Sequence, residues 1–174
     1  MFLDRKRRKI FDEEALPHME ALYRSALGMI RNPSAAEDLL QETYKEAWAS
    51  FHRYQPGTDC KAWLFRILFR LRGKQLRRSG QFQWVELDEV PEERLSTPPE
   101  ALRKLEGAEV LKVIESLPEH YRDILILADA EQFSYHEISR ILDLPIGTVM
   151  SRLNRGRQLF RQKFFQAKGQ QQSA

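Results

Sequence analysis

Apolar residues recur every three or four positions along almost the whole chain, and no alternating run of β-branched residues is long enough for a sheet strand. This pattern predicts an all-α protein. A first helix runs from about Glu13 to Ile30 and stops at Asn32-Pro33, because the residue ahead of a proline is pushed out of helical geometry. Ser34 with Glu37 three residues on forms a capping-box pattern, and the helix it opens carries Leu40, Thr43, Ala47 and Phe51 on one stripe. Arg53-Tyr54-Gln55-Pro56-Gly57-Thr58 is a turn by composition, and a third helix follows from about Asp59 to Arg78.

From Ser79 to about Pro98 the pattern lapses, with Pro91, Pro98 and Pro99 among acids and small polar residues. The lapse predicts a flexible linker over residues 80–98 joining two small helical domains, residues 13–79 and 99–166, with a basic N-terminal tail over 1–12 and a C-terminal tail over 167–174. In the second domain a helix from about Glu100 to Ser116 buries Val110, Val113, Ile114 and Leu117, and Pro118 is the expected first residue of the next helix, which reaches about Glu131. Ser134 with Glu137 repeats the capping-box pattern ahead of Ile138, Ile141 and Leu142. Asp143-Leu144-Pro145-Ile146 then breaks the helix, and another starts near Thr148. The layout is that of a helix-turn-helix.

The net charge of +3 conceals a segregation of charge. Lys61, Arg66, Arg70, Arg72, Lys74, Arg77 and Arg78 fall in an acid-free run, and so do Arg152, Arg155, Arg157, Arg161, Lys163 and Lys168. Between the two runs lie Glu86, Asp88, Glu89, Glu92 and Glu93. One basic run is usually a solvated helix face, but two acid-free runs on two helical units point to contact with phosphate backbones. Cys60 is the single cysteine, which excludes an internal disulfide, and neither His18 nor His52 stands at a metal-site spacing from it. No metal or cofactor is expected. Apolar runs such as Ile124 to Ala128 are far short of the roughly 20 residues of a membrane span, and the basic start is followed by no signal-peptide core, so the expectation is a cytoplasmic protein with no membrane partner. A phosphate-binding Gly-Lys-Ser/Thr loop, a Gly-rich dinucleotide turn and a metal-ligand cluster are all lacking, which argues against an enzyme.

The second helix of a helix-turn-helix enters the major groove, and therefore needs an apolar inner stripe and a polar outer face at its N-terminal half. Val149, Leu153, Gly156, Phe160 and Phe164 supply the stripe. Thr148, Met150, Ser151, Asn154 and Arg155 are then the candidates for base edges, with Arg152 and Arg157 flanking them as phosphate ligands. Arginine offers guanine a bidentate donor pair, and asparagine offers adenine a donor and an acceptor.

The first domain narrows the field. Ala36-Glu37-Asp38-Leu39-Leu40-Gln41-Glu42-Thr43-Tyr44 resembles the polymerase-binding helix of the sigma-70 family, in particular its extracytoplasmic-function (ECF) group. Lys61-Ala62-Trp63-Leu64-Phe65-Arg66-Ile67 resembles the promoter-melting helix of the same family. Ser134-Tyr135-His136-Glu137-Ile138, with Pro145-Ile146-Gly147-Thr148-Val149-Met150-Ser151-Arg152-Leu153, resembles its reader of the minus-thirty-five element. Three motifs occur in the family's order, with a linker in the right place, and together they span roughly Leu16 to Phe164.

The resemblance implies a non-catalytic subunit that joins core RNA polymerase and directs it to promoter DNA. Asp38, Leu39, Gln41, Glu42 and Lys45 would grip the coiled-coil clamp of the largest catalytic subunit; the spacing of Asp38, Gln41, Glu42 and Lys45 alone places them on one polar helix face. Tyr54 would support an unstacked base at the minus-ten element, with the loop from Gln55 through Gly57, Thr58 and Asp59 to Lys61 forming the pocket for it. Arg66, Arg70, Arg77 and Arg78 would follow the backbone, while Trp63 belongs to the core. The chain departs from the family at Arg70, where Asn is usual, and at Lys74, where an acid is common. The wording Met29-Ile30-Arg31-Asn32-Pro33-Ser34 and the Gly57-Thr58 loop are most similar to the sigma factors of thiol-oxidative stress, which implies a small, zinc-containing anti-sigma partner. A regulator that binds DNA without polymerase is the alternative reading, and it leaves the first domain without a purpose.

Overall fold

The computed structural model describes residues 2–80 and 108–171. The chain divides into two compact units, Met1–Trp84 and Val85–Ala174. Both are helical, and no strand occurs among the described residues. Nearly all of the expected linker, and the first part of the helix expected from Glu100, lie outside the described residues.

The first unit begins with α1 (Phe2–Ala15), which passes through a single 3-10 turn (Leu16–His18) into α2 (Met19–Ile30). The expected N-terminal tail is therefore a helix packed on its unit, and the first helix is two helices joined at Pro17. Phe11 is buried with its ring edge-on to Tyr44, Trp48 and Phe51, at centroid distances of 6.2, 5.2 and 5.0 Å. Ala15 is fully buried, and its carbonyl accepts from the Tyr44 hydroxyl at 2.8 Å. Arg7 lays its guanidinium over the Trp48 ring at 4.9 Å and donates to the Trp48 carbonyl at 2.9 Å. Charge conceals this helix in the sequence, because Arg7 brings its guanidinium to the packed face where a periodicity count expects an apolar residue.

Helix α2 ends with Arg31 in the left-handed region, its N–H bonded to the Leu27 carbonyl at 2.8 Å. Extended Asn32 then caps α3 (Pro33–Ser50) by accepting from the Ala35 N–H at 3.0 Å, with Pro33 in the first turn where its missing N–H costs nothing. The cap is thus Asn32, two residues before the expected Ser34. The buried stripe shifts accordingly to Ala36, Leu39, Thr43 and Ala47, leaving Leu40 half-exposed. Thr43 satisfies its buried hydroxyl by donating to the Leu39 carbonyl at 2.7 Å.

A 3-10 turn (Phe51–Arg53) and a loop lead into α4 (Cys60–Arg78), capped by Asp59, whose carboxylate accepts from the Ala62 N–H at 2.9 Å. Leu64, Phe65 and Leu68 of α4 close on Leu22, Ala26 and Met29 of α2 and on Leu39 of α3, all essentially without solvent contact. Burying each Leu or Phe contributes about 1.5–3 kcal/mol before entropy is counted. Arg72 is buried in this core with its guanidinium donating to the Met29 carbonyl at 3.3 Å.

The second unit holds α5 (Ala108–Glu115), α6 (Glu119–Leu125), α7 (Tyr135–Leu142) and α8 (Ile146–Gln171). Pro118 is the N-cap of α6 rather than its first residue: at ψ 143° it stands outside the helix while its carbonyl accepts from Tyr121 and Arg122. Arg122, only 4% exposed, donates to the carbonyls of Ile114, Glu115 and Leu117 at 3.3, 3.1 and 2.8 Å, satisfying acceptors that the end of α5 leaves open. Helix α6 runs on into a π-helical turn (Ile126–Ala130), closed by Glu131 N–H to the Ile126 carbonyl at 2.9 Å. The Ser134–Glu137 capping box is formed on both sides, at 3.3 and 2.7 Å. Left-handed Asp143 ends α7, and α8 starts at Ile146, two residues before the expected Thr148. Val149, Leu153, Gly156, Phe160 and Phe164 face inward as expected. A Cβ on Gly156 would lie 3.4 Å from Leu125 and Tyr121 side-chain atoms, so glycine sets the close approach of α8 to α6.

Candidate nucleic-acid interface

On α3 the buried stripe turns the opposite face outward. Asp38, Gln41, Glu42 and Lys45 are all exposed along it, whereas Leu39, at 0% exposure, is core and open to no partner. Leu39 is thus removed from the expected contact set, since its side chain is spent on packing against its own unit. Between α3 and α4 runs an open groove of about 420 Å³, lined by Glu42, Lys45, Glu46, Lys74, Gln75 and Arg78 among others. Arg70 spans the two helices to Glu46 at 2.7 Å, so the cation at this family-atypical position is engaged by an acid on the neighbouring helix.

At the start of α4 the loop presents Gln55, Gly57, Thr58 and Asp59 to solvent, with Lys61 half-exposed beside them. Gly57 stands at φ +82°, which side-chain-bearing residues adopt only under strain. Asp59 is committed to its cap, and Lys61 lies over the Phe65 ring at 5.7 Å. Tyr54 does not offer a face to a base: it is 7% exposed, with its ring against Phe51 at 5.4 Å and Trp63 at 4.8 Å. Its hydroxyl donates to Glu14 and also lies 3.0 Å from the Thr58 carbonyl. Trp63 packs into this aromatic cluster yet stays half-exposed, short of the buried core position expected of it. Further along α4, Arg66, Arg70, Arg77 and Arg78 are all exposed. Burial pushes the Cys60 thiol up to about 11 and the Tyr44 phenol up to about 12.

In the second unit the inner stripe of α8 leaves Thr148, Met150, Ser151, Asn154 and Arg155 partly exposed at its N-terminal half. Ser151 returns its hydroxyl to the Thr148 carbonyl at 3.1 Å. The two flanking arginines differ from the sequence expectation and from each other. Arg157 is 7% exposed and held by Asp129 in a forked pair, Nη2 to Oδ1 at 2.7 Å and Nε to Oδ2 at 3.3 Å, with Tyr135 as a further partner. Burial works to lower the pKa of Arg157, and the hydrogen bond and charge of Asp129 raise it on balance. A guanidinium so enclosed is a structural cation, which corrects its assignment to phosphate. Arg152 leans the other way, toward α6, where its Nε and the Nε2 of His120 are buried without a hydrogen-bond partner among the described residues. Burial and then the charge of Arg152 hold His120 below the usual histidine range.

Three residues of consequence carry no motif in the sequence: Glu14, Asp129 and His120. Asp129 could not have been singled out, because Asp123 and Glu131 are equal candidates ahead of the capped helix. Glu14 could not, because a carboxylate in a basic tail resembles any solvated residue. Among the described residues no cluster could hold a metal ion, and no helix is long and apolar enough to cross a membrane.

Two family models match the chain, Sigma-70 region 2 over residues 16–81 and Sigma-70, region 4 over residues 107–160. The chain is 35% identical over 158 residues to the ECF RNA polymerase sigma factor SigE of Mycolicibacterium smegmatis, an alignment covering 87% of this chain and 60% of that protein. It therefore spans less than two thirds of the length of that relative. It is 34% identical over 143 residues to the ECF RNA polymerase sigma factor EcfG of Rhodopseudomonas palustris, covering 82% and 77% respectively. Among solved structures, the sigma factor RpoE in complex with the anti-sigma factor NepR from Bartonella quintana matches with a TM-score of 0.63 at 29% identity, over 90% of this chain and 96% of that one. Each matched region falls within one of the two helical units, and the chain belongs to the ECF group of the sigma-70 family, the RNA polymerase sigma factors of transcription initiation.

Proposed function

We propose that the first unit joins core polymerase through Asp38, Gln41, Glu42 and Lys45 of α3, and that the same unit reads the minus-ten element through the loop Gln55 to Lys61 and the exposed arginines of α4. The second unit reads the minus-thirty-five element with Thr148, Met150, Ser151, Asn154 and Arg155. Residues 13–79 and 99–166 are the two functional domains, with α1 added to the first. The observation that carries the reading is the division of α3 into a buried stripe and an exposed polar face, set beside a second unit with a formed helix-turn-helix. Core polymerase, promoter DNA and an anti-sigma protein are the partners this implies, and the cytoplasm is where they meet. The solved relative bound to an anti-sigma factor supports the last of these partners.

Reversing charge on the α3 face tests the assignment. Asp38→Lys with Glu42→Lys should abolish capture of core polymerase while leaving the unfolding midpoint nearly unchanged, since exposed charges shift stability by under about 0.5 kcal/mol. Undiminished capture by the folded double variant would remove α3 from the interface.

A further inference from the structure

Loop residues 54–59 join the 3-10 turn after α3 to α4, and within the loop few bonds fix their shape. Tyr54 N–H reaches the Phe51 carbonyl at 3.1 Å, and Thr58 donates its N–H and its hydroxyl to the Gln55 carbonyl at 3.2 and 2.8 Å. The tip at Gly57 takes a positive φ, and a Cβ added there would meet nothing within 4 Å. What holds it comes from 43 residues away: the Glu14 carboxylate accepts from the Gly57 N–H at 3.2 Å through Oε1 and 3.4 Å through Oε2, and from the Tyr54 hydroxyl at 2.5 Å through Oε2. Glu14 lies in the last turn of α1, beside the buried Phe11 and Ala15, so its backbone is anchored independently of the loop. The family match begins at residue 16, downstream of this helix.

We infer that Glu14 is a positioning residue that sets the shape of the minus-ten base pocket, an inference that rests on reading loop 55–61 as that pocket. The carboxylate suits the task because two donors converge on it and it has two acceptor oxygens and no donor. Tyr54, sealed between Phe51 and Trp63, serves the base indirectly by carrying one of those donors rather than by stacking. A loop held in its bound shape spares an entering base the cost of ordering it, and it keeps the pocket edges where they can discriminate between bases.

The test uses holoenzyme assembled from the full chain and core polymerase, selecting promoters from a library randomised through the minus-ten region. Glu14→Gln places an amide donor where one acceptor stood, so it should flatten preference at a single minus-ten position by about tenfold, the scale of one charge-assisted hydrogen bond. Other positions, core capture and the thermal midpoint should hold. Tyr54→Phe, which keeps the ring and removes one donor, should flatten the same position less, and decides the matter if Glu14→Gln does not fold. Gln55→Ala and Thr58→Ala test the pocket itself. If they flatten a position that Glu14→Gln and Tyr54→Phe leave intact, the inference is overturned and the pocket reading stands. If neither loop variant alters any position, the pocket reading fails and the inference with it. Equal loss at every position together with a lowered midpoint would show a merely structural role, and also overturns it.

Discussion

Removing Asp129 should destabilise the second unit as strongly as removing Arg157. The two side chains are 14% and 8% exposed and meet through two parallel contacts of 2.7 and 3.3 Å. Truncating either partner strands the other charge in a site with little water, which costs about 3–5 kcal/mol. For a domain this small each kcal/mol is worth about 4–8 °C, so Arg157→Met or Asp129→Ala should lower the midpoint of the second unit by roughly 12 °C or more. The assay separates the units by their chromophores: Trp48 and Trp63 fall within the first, and residues 108–171 contain no tryptophan. The loss should therefore appear in circular dichroism while the tryptophan transition stays in place. Replacing both partners by apolar residues should recover much of the loss, because no charge is then left unpaired. A phosphate-binding Arg157 behaves otherwise. Arg157→Met would then leave the midpoint alone and reduce the logarithmic salt slope of DNA binding by about 0.9, and Asp129→Ala would tighten binding by freeing the arginine. That second pattern would refute the structural assignment.

The buried Cys60 thiol, pushed up to about 11, should react with iodoacetamide at pH 8 only as fast as the first unit unfolds, and at the full rate of a free thiol in denaturant; equal rates would contradict its burial. Cys60 and Tyr44, with ordinary values of 9.0 and 10.0, are both raised in the fold. The unfolded chain then releases their protons first, so their stabilisation is complete below about pH 9 and is lost as pH rises through 11 to 12. Tryptophan-monitored unfolding of the first unit should show a midpoint that falls across this window, and a flat profile would contradict it.

Helices α4, α7 and α8 were legible because their caps and stripes agree: Asp59 and Ser134 cap where composition places them, and all five inner positions of α8 are buried. At α3 the Asn32-Pro33 pair, expected only to stop the preceding helix, also opens the next one in place of Ser34 with Glu37, because Asn32 ahead of the proline is already extended as a cap must be. The buried stripe of α3 runs through Leu39 rather than Leu40, which takes one residue out of the expected polymerase contacts. Helix α1 stayed hidden because its packed face is built from Phe11, Ala15 and the guanidinium of Arg7, too few apolar residues for a periodic signal. The candidate site was readable where it depends on helix faces, as for Asp38, Gln41, Glu42 and Lys45. It was unreadable where a side chain's fate depends on a distant partner. Tyr54 is sealed by Trp63 and held by Glu14, and Arg157 is taken by Asp129, pairings that only the tertiary structure brings together.

The proposed function requires that the two units act together on polymerase and promoter. Transcription reconstituted with core polymerase and a library of genomic promoter fragments tests it in one reaction. The full chain should cause initiation at fixed sites bearing two elements, and should bind those fragments tightly only in the presence of core enzyme. Tight, specific binding by the chain alone, with no initiation when core polymerase is added, would contradict the account and favour a regulator that works without polymerase.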